Sequence, residues 1–147
     1  MADQVTLSER FDYDLWANKL WLEALQNKNE PASNGVFAHI LSAQDIWRQR
    51  CRGFSPEAMP VVTPSASELE RLNIDWKAII SETDHNQVVV FRRTTGQQLE
   101  LPLFKIAAHV LNHGTYHRGE LRGLCRARAD DDFPETDMGG WFFASRQ

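Results

Sequence analysis

Apolar residues along the chain fall into four runs with a helical period and one short stretch with a strand period. From Ser8 to Leu25, Phe11, Leu15, Leu22 and Leu25 recur at helical spacing, joined by Trp16 and Leu20. Asn27, Asn29 and Pro31 stop that helix. Ser33-Asn34-Gly35 offers caps for a second helix, Val36 to Arg50, with a stripe of Val36, Ile40, Ala43 and Trp47 flanked by Phe37, Leu41 and Ile46. The stretch from Gly53 to Ser67 carries Pro56, Pro60 and Pro64 and reads as a long connection. Ser67-Glu68-Leu69-Glu70 resembles a capping box and predicts the start of a third helix, whose apolar face is Leu69, Leu72, Trp76, Ile79 and Ile80.

The period then changes. Val88-Val89-Val90-Phe91 is β-prone, Thr95-Gly96 is a turn signal, and Leu99-Glu100-Leu101 alternates. That predicts a hairpin of about five residues per strand. Pro102 stands where a helix can begin, and Leu103 to about Arg126 is the fourth helix. The pattern predicts an all-α fold: a four-helix bundle with a small β-hairpin before the last long helix, as one domain over residues 1–147. The tail from Ala129 is acidic, then aromatic. Trp141-Phe142-Phe143 is expected to pack back on the helices or on a second subunit.

Composition narrows the class. With 147 residues, 42% hydrophobic and 24% charged, the chain has ordinary globular values. A net charge of -4 argues against a nucleic-acid surface, and no apolar run is long enough to span a membrane. Cys51 and Cys125 are far apart and form no CxxC pair, so each reads as a small buried hydrophobe rather than part of a disulfide framework. No N-terminal stretch has the basic start and apolar run of a signal peptide, so a soluble cytoplasmic protein is the default expectation.

The candidate chemistry lies in "HVLNHGTYHRGEL", His109 to Leu121, which holds three of the five histidines. On a helical wheel at about 100° per residue, Leu103, Ala107, Val110, Gly114, Leu121 and Leu124 share one sector. His117 falls within roughly 30° of its centre, His113 about 70° away, and His109 roughly 110° off. Side chains at i and i+4 lie about 5–6 Å apart, so both rings can reach one ion at ~2.1 Å. Residues at i and i+8 are about 12 Å apart along the axis, so one ion does not take all three from a straight helix. The inward pair is therefore His113 and His117, and a third ligand must come from elsewhere. His39, beside the stripe of the second helix, is the natural candidate. Three imidazoles plus an open position suit zinc, nickel or iron. His85 sits in loop-like company and is left out. The glutamate of HExxH is missing, so a metalloprotease has no support. The bland alternative is that these histidines are polar residues at the rim of the core.

Three motifs in order, "FDYDLWANKLWLEAL", "HILSAQDIWRQR" and "HVLNHGTYHRGEL", together with the hairpin "VVVFRRTTGQQLELPL", resemble the DinB superfamily, the DinB/YfiT-like metalloenzymes. The resemblance runs from about Phe11 to Leu124. It implies a four-helix bundle, often a homodimer, with a divalent metal held by His39, His113 and His117. It also implies relatives that use low-molecular-weight thiols: mycothiol- or bacillithiol-dependent S-transferases and a maleylpyruvate isomerase. The family pattern ends HRGQ, whereas this chain reads His117-Arg118-Gly119-Glu120. Glu120 then faces solvent, pairs with Arg118 or Arg122, or brings a carboxylate to the site.

Three functions follow as expectations. The first is a metal-dependent transferase or hydrolase acting with a thiol or on a small anionic substrate, since an open metal position acidifies what binds there. The second is a non-enzymatic, stress-related metal-binding or dimerisation module. It is kept because only Asp45, Tyr116 and Glu120 stand near the ligands as acid–base groups, and Tyr116 lies about 100° round the helix. The third, nucleic-acid binding, would rest on Arg48, Arg50 and Arg52 and on Arg118, Arg122, Arg126 and Arg128. Neither cluster has interleaved exposed aromatics, so no nucleic-acid partner is expected. Arg118 and Arg122, at i and i+4, are expected to form a surface pair with an acid or, less simply, to hold a substrate carboxylate.

Overall fold

The computed structural model describes residues 4–144. It is mostly helical: α1 (Leu7–Leu25), α2 (Pro31–Cys51), α3 (Ala66–Glu82), a hairpin of β1 (Val88–Arg92) and β2 (Gln98–Pro102), α4 (Leu103–Ala127) and a short α5 (Met138–Ala144). Local chemistry explains the starts. Thr6 accepts from the Glu9 N–H while the Glu9 carboxylate accepts from the Thr6 N–H, so two orphan donors of α1 are satisfied together. The second helix begins at Pro31, not at Val36. Pro31 ends the chain before it but suits a first helical turn, where its missing N–H has no role, and Glu30 caps by accepting from Ala32. Likewise α3 is capped by Ser65 rather than Ser67, because it is the Ser65 hydroxyl that accepts from the Glu68 N–H. The seven-residue α5 is too short to show a period and was not expected.

Each long helix packs mainly on two others: α1 on α3 and α4, and α2 on α4 and α3, with a smaller contact between α1 and α2. One half of the core gathers Trp21, Phe37, Ile40, Leu41, Leu72 and Leu121; the other centres on Phe11 and Trp76, stacked at 5.0 Å. The Trp76 indole N–H donates to the Gln44 carbonyl at 3.2 Å, so the buried ring leaves no polar group unpaired. The hairpin is antiparallel with Val88 opposite Pro102 and Phe91 opposite Leu99, and Gly96 takes the left-handed turn position at φ +92°. Phe91 is buried edge-on against Trp47 of α2, which fastens the hairpin to that helix. The tail packs on its own chain: Phe133 stacks on Trp21, the Tyr13 hydroxyl donates to the Thr136 carbonyl, and Trp141 lies 5.8 Å from Tyr13.

Among the described residues no helix is long and apolar enough to cross a membrane. Both cysteines are free; Cys125 is fully buried, and burial pushes the half-buried Cys51 thiol up to about 12. A thiol held that high is no nucleophile at neutral pH.

Candidate metal centre

The one-turn spacing on α4 puts the His113 and His117 rings 4.4 Å apart, and α2 brings the His39 ring to 4.8 Å from each. The Nε2 atoms of His39 and His113 are 3.1 Å apart, and one ligand nitrogen from each of the three residues lies within 4.8 Å of the others. Nitrogens that share a tetrahedral ion at ~2.05 Å stand about 3.3 Å apart. The group is therefore compact enough to hold one metal ion.

Its place differs from the expected central one. His39 is exposed, and His113 and His117 are half-buried. The inward positions of these helices belong to Phe37, Ile40 and Leu41 on α2 and to Ile106, Val110 and Leu121 on α4. The histidines thus line the solvent side of the α2–α4 seam, where an exogenous ligand can reach them.

Protonation also favours ligation. Burial, then the neighbouring His117, holds His39 below its ordinary pKa despite an opposing pull from Glu120. Burial, then His117, His39 and His109, lowers His113 from 6.5 to about 4. Both rings are neutral at neutral pH, with lone pairs free. The unfolded chain binds these protons more tightly than the fold does, so acid favours unfolding. Above the unfolded value of 6.5 the two states bind alike; stability then falls as pH drops from 6.5 to about 4. Urea midpoints of the metal-free protein at about pH 7.5 and about pH 5 should show this loss, and His113→Gln should shrink it. An unchanged difference in the variant would exclude His113 as a source.

Glu120 settles part of the HRGE question. Its Oε1 accepts from His117 Nδ1 at 2.8 Å. A carboxylate there keeps the proton on Nδ1, which leaves Nε2 as the nitrogen with a free lone pair. Glu120 pairs with neither Arg118 nor Arg122. His109 stays outside the trio, exposed, with its ring edge-on to Trp47 at 5.5 Å and 5.8 Å from His113. His85 Nε2 lies 3.0 Å from the Ile80 carbonyl in the turn after α3, away from the cluster. Tyr116 is exposed, although its ring packs on His117 at 5.0 Å.

Arg118 overturns the expectation of a surface pair. It is 3% exposed, and its Nη1 donates to buried Asp14 at 2.7 Å and to Asn18 at 2.9 Å. The wheel carried a signal for this: Arg118 flanks the apolar stripe about as closely as His113, on the other side. The Asp14 partner, supplied by a helix far away in sequence, is what makes burial tolerable. Adjacent residues thus do opposite work, His117 facing the α2 seam and Arg118 facing α1. The other basic positions are largely matched by acids: Arg48 by Asp45 and Asp75, Arg52 by Asp75 and Glu82, Arg122 by Glu135, and Arg128 by Glu30. Asp45, engaged with Arg48 and Arg71, is committed to those pairs.

No family model, no curated protein and no solved structure matches the chain.

Proposed function

We propose that this chain is a divalent-metal-binding protein of the DinB/YfiT type, its long helices forming that family's four-helix bundle, and that it works as a metal-dependent transferase or hydrolase. The observation that supports the reading most is the meeting of His39, His113 and His117 within 4.8 Å on a solvent-facing seam. The three imidazoles would hold zinc, nickel or iron, and the ion would supply a Lewis acid with a position left for an outside ligand. The chain's own residues then do the rest. Glu120 orients His117. The bulk of α2 and α4 fixes His39 against the pair. No cysteine is poised as nucleophile, which fits chemistry in which a small thiol or another acidified group comes from outside.

A second reading, a metal-binding module without catalysis, draws on one feature. The clefts of about 220 Å³ and 300 Å³ beside Tyr13, Thr115 and Arg118, and the one of about 500 Å³ between Leu22 and Phe37, are not lined by any of the three histidines. Cobalt substitution separates the two. If an outside position is open, a small thiol added to the cobalt protein changes its visible spectrum and brings up a sulfur-to-cobalt band. An unchanged spectrum would sink the enzyme reading and leave the module.

The Glu120 contact gives a graded test. Glu120→Ala should weaken zinc binding by about 10–100-fold, with Glu120→Gln intermediate, as read by competition with a chelator. Equal affinity in all three proteins would show that the contact orients nothing.

A further inference from the structure

On α2, His39, Ala43, Trp47 and Arg50 follow at steps that keep them on one helix face. On α4, His117, His113 and His109 form a matching row. The rows meet, His39 against His113 and His117, and Trp47 against His109. A continuous strip therefore leads from the three histidines, over Trp47 and His109, to Arg50, about 16 Å along the axis of α2.

Arg50 is 7% exposed, with its guanidinium 4.5 Å over the Trp47 ring and 5.2 Å over the Phe91 ring. Unlike Arg48 and Arg52 beside it, it has no carboxylate partner among the described residues. Its Nε is sealed from solvent and without an acceptor, while the terminal nitrogens, which make no hydrogen bond among the described residues, are not fully sealed. Burial, then the nearby Arg93, pushes its pKa down, as befits a cation short of counter-charge. Stacking on two rings explains why the side chain lies there and helps pin the hairpin. It does not supply a counter-charge, and an arginine this deeply buried is ordinarily paired with one.

We infer that Arg50 is the anion-binding end of this strip, taking a carboxylate or phosphate of a small molecule whose other end reaches the three histidines. Both anions offer paired oxygens to a guanidinium fork, and the edge-to-face rings of Trp47 and His109 lie between the two ends of the strip. The link to the histidines rests on the metal-site reading above; the anion site does not.

The test uses metal-stripped full-length protein at constant ionic strength. Glutarate and, separately, inorganic phosphate are titrated against a sodium chloride control while the NMR signals of the Trp47 indole N–H and the Arg50 Nε–H are followed. Wild type should show saturable shifts of both signals, and the tighter-binding anion identifies the group recognised. Arg50→Lys should weaken binding at least about tenfold, and in the packing-conserving Arg50→Met the Trp47 signal should stay still. Zinc binding by calorimetry should be the same in wild type and Arg50→Met. Shifts no larger than those with chloride, or equal anion binding by Arg50→Met, would overturn the inference. Anion binding by a wild type that takes no zinc would keep the anion site and remove the metal reading, so the two failures are distinct.

Discussion

His113→Ala/His117→Ala is expected to abolish divalent-ion binding while leaving the chain folded. Wild type, made without a polyhistidine tag and given zinc or nickel, should hold about one ion per chain by elemental analysis. The double variant keeps a single imidazole of the three, and its affinity should fall at least about 10³-fold, some 4 kcal/mol. Folding should survive because both rings are half-buried on the solvent side of α4 and alanine is the best helix former. The metal-free variant should even gain stability below pH 6.5, since a ring held at about 4 is a liability there. If wild type holds no ion, the trio is a set of rim polar residues and the enzyme reading falls. If wild type and variant hold equal amounts, the ion sits elsewhere.

The second large effect is expected one residue further along. Arg118→Ala should cost about 3–5 kcal/mol, measured by urea denaturation, because it strands the Asp14 carboxylate in the core. Asp14 also accepts from Gln44 at 2.5 Å and Asn18 at 3.3 Å, contacts arranged for an anion. Asp14→Ala should be as damaging, by stranding Arg118 instead. The double Asp14→Leu/Arg118→Met variant should recover most of the loss, because it leaves neither charge alone. Gly114 belongs to the same unit. A Cβ there would stand 2.8 Å from Asp14 Oδ1 and 3.0 Å from Arg118 Nη1, so Gly114→Ala should destabilise by forcing the pair apart. Against a typical total of about 5–15 kcal/mol, either single charge deletion takes a large share. A loss under about 1 kcal/mol for Arg118→Ala would mean that water reaches Asp14 when the arginine goes. Because this pair joins α1 to α4, it also fixes the helix that presents His113 and His117.

The sequence by itself determined what depends on near neighbours. A period of 3.6 is a property of a short window, so the four long helices and the faces of α3 and α4 were legible, as was the alternation of the hairpin. The one-turn spacing of His113 and His117 is likewise local, and helix geometry alone made them a pair and set His109 aside. Choosing His39 as third partner was already less local, because it required two helices to lie side by side. What only the tertiary structure decided concerns contacts between distant segments and competition for the interior. The acid that buries Arg118 lies on α1, and nothing near Arg118 announces it. Glu120 had several reachable partners, and only the packed rotamers show that it takes His117. Pro31 reads equally as the end of one helix or the first turn of the next, and the Glu30 cap decides between them. The histidines face solvent rather than the core because bulkier apolar residues on the same two helices fill the inward space. Arg50, one more cation in a basic run, stands out only when folding seats it against Trp47 and Phe91 with no carboxylate partner among the described residues.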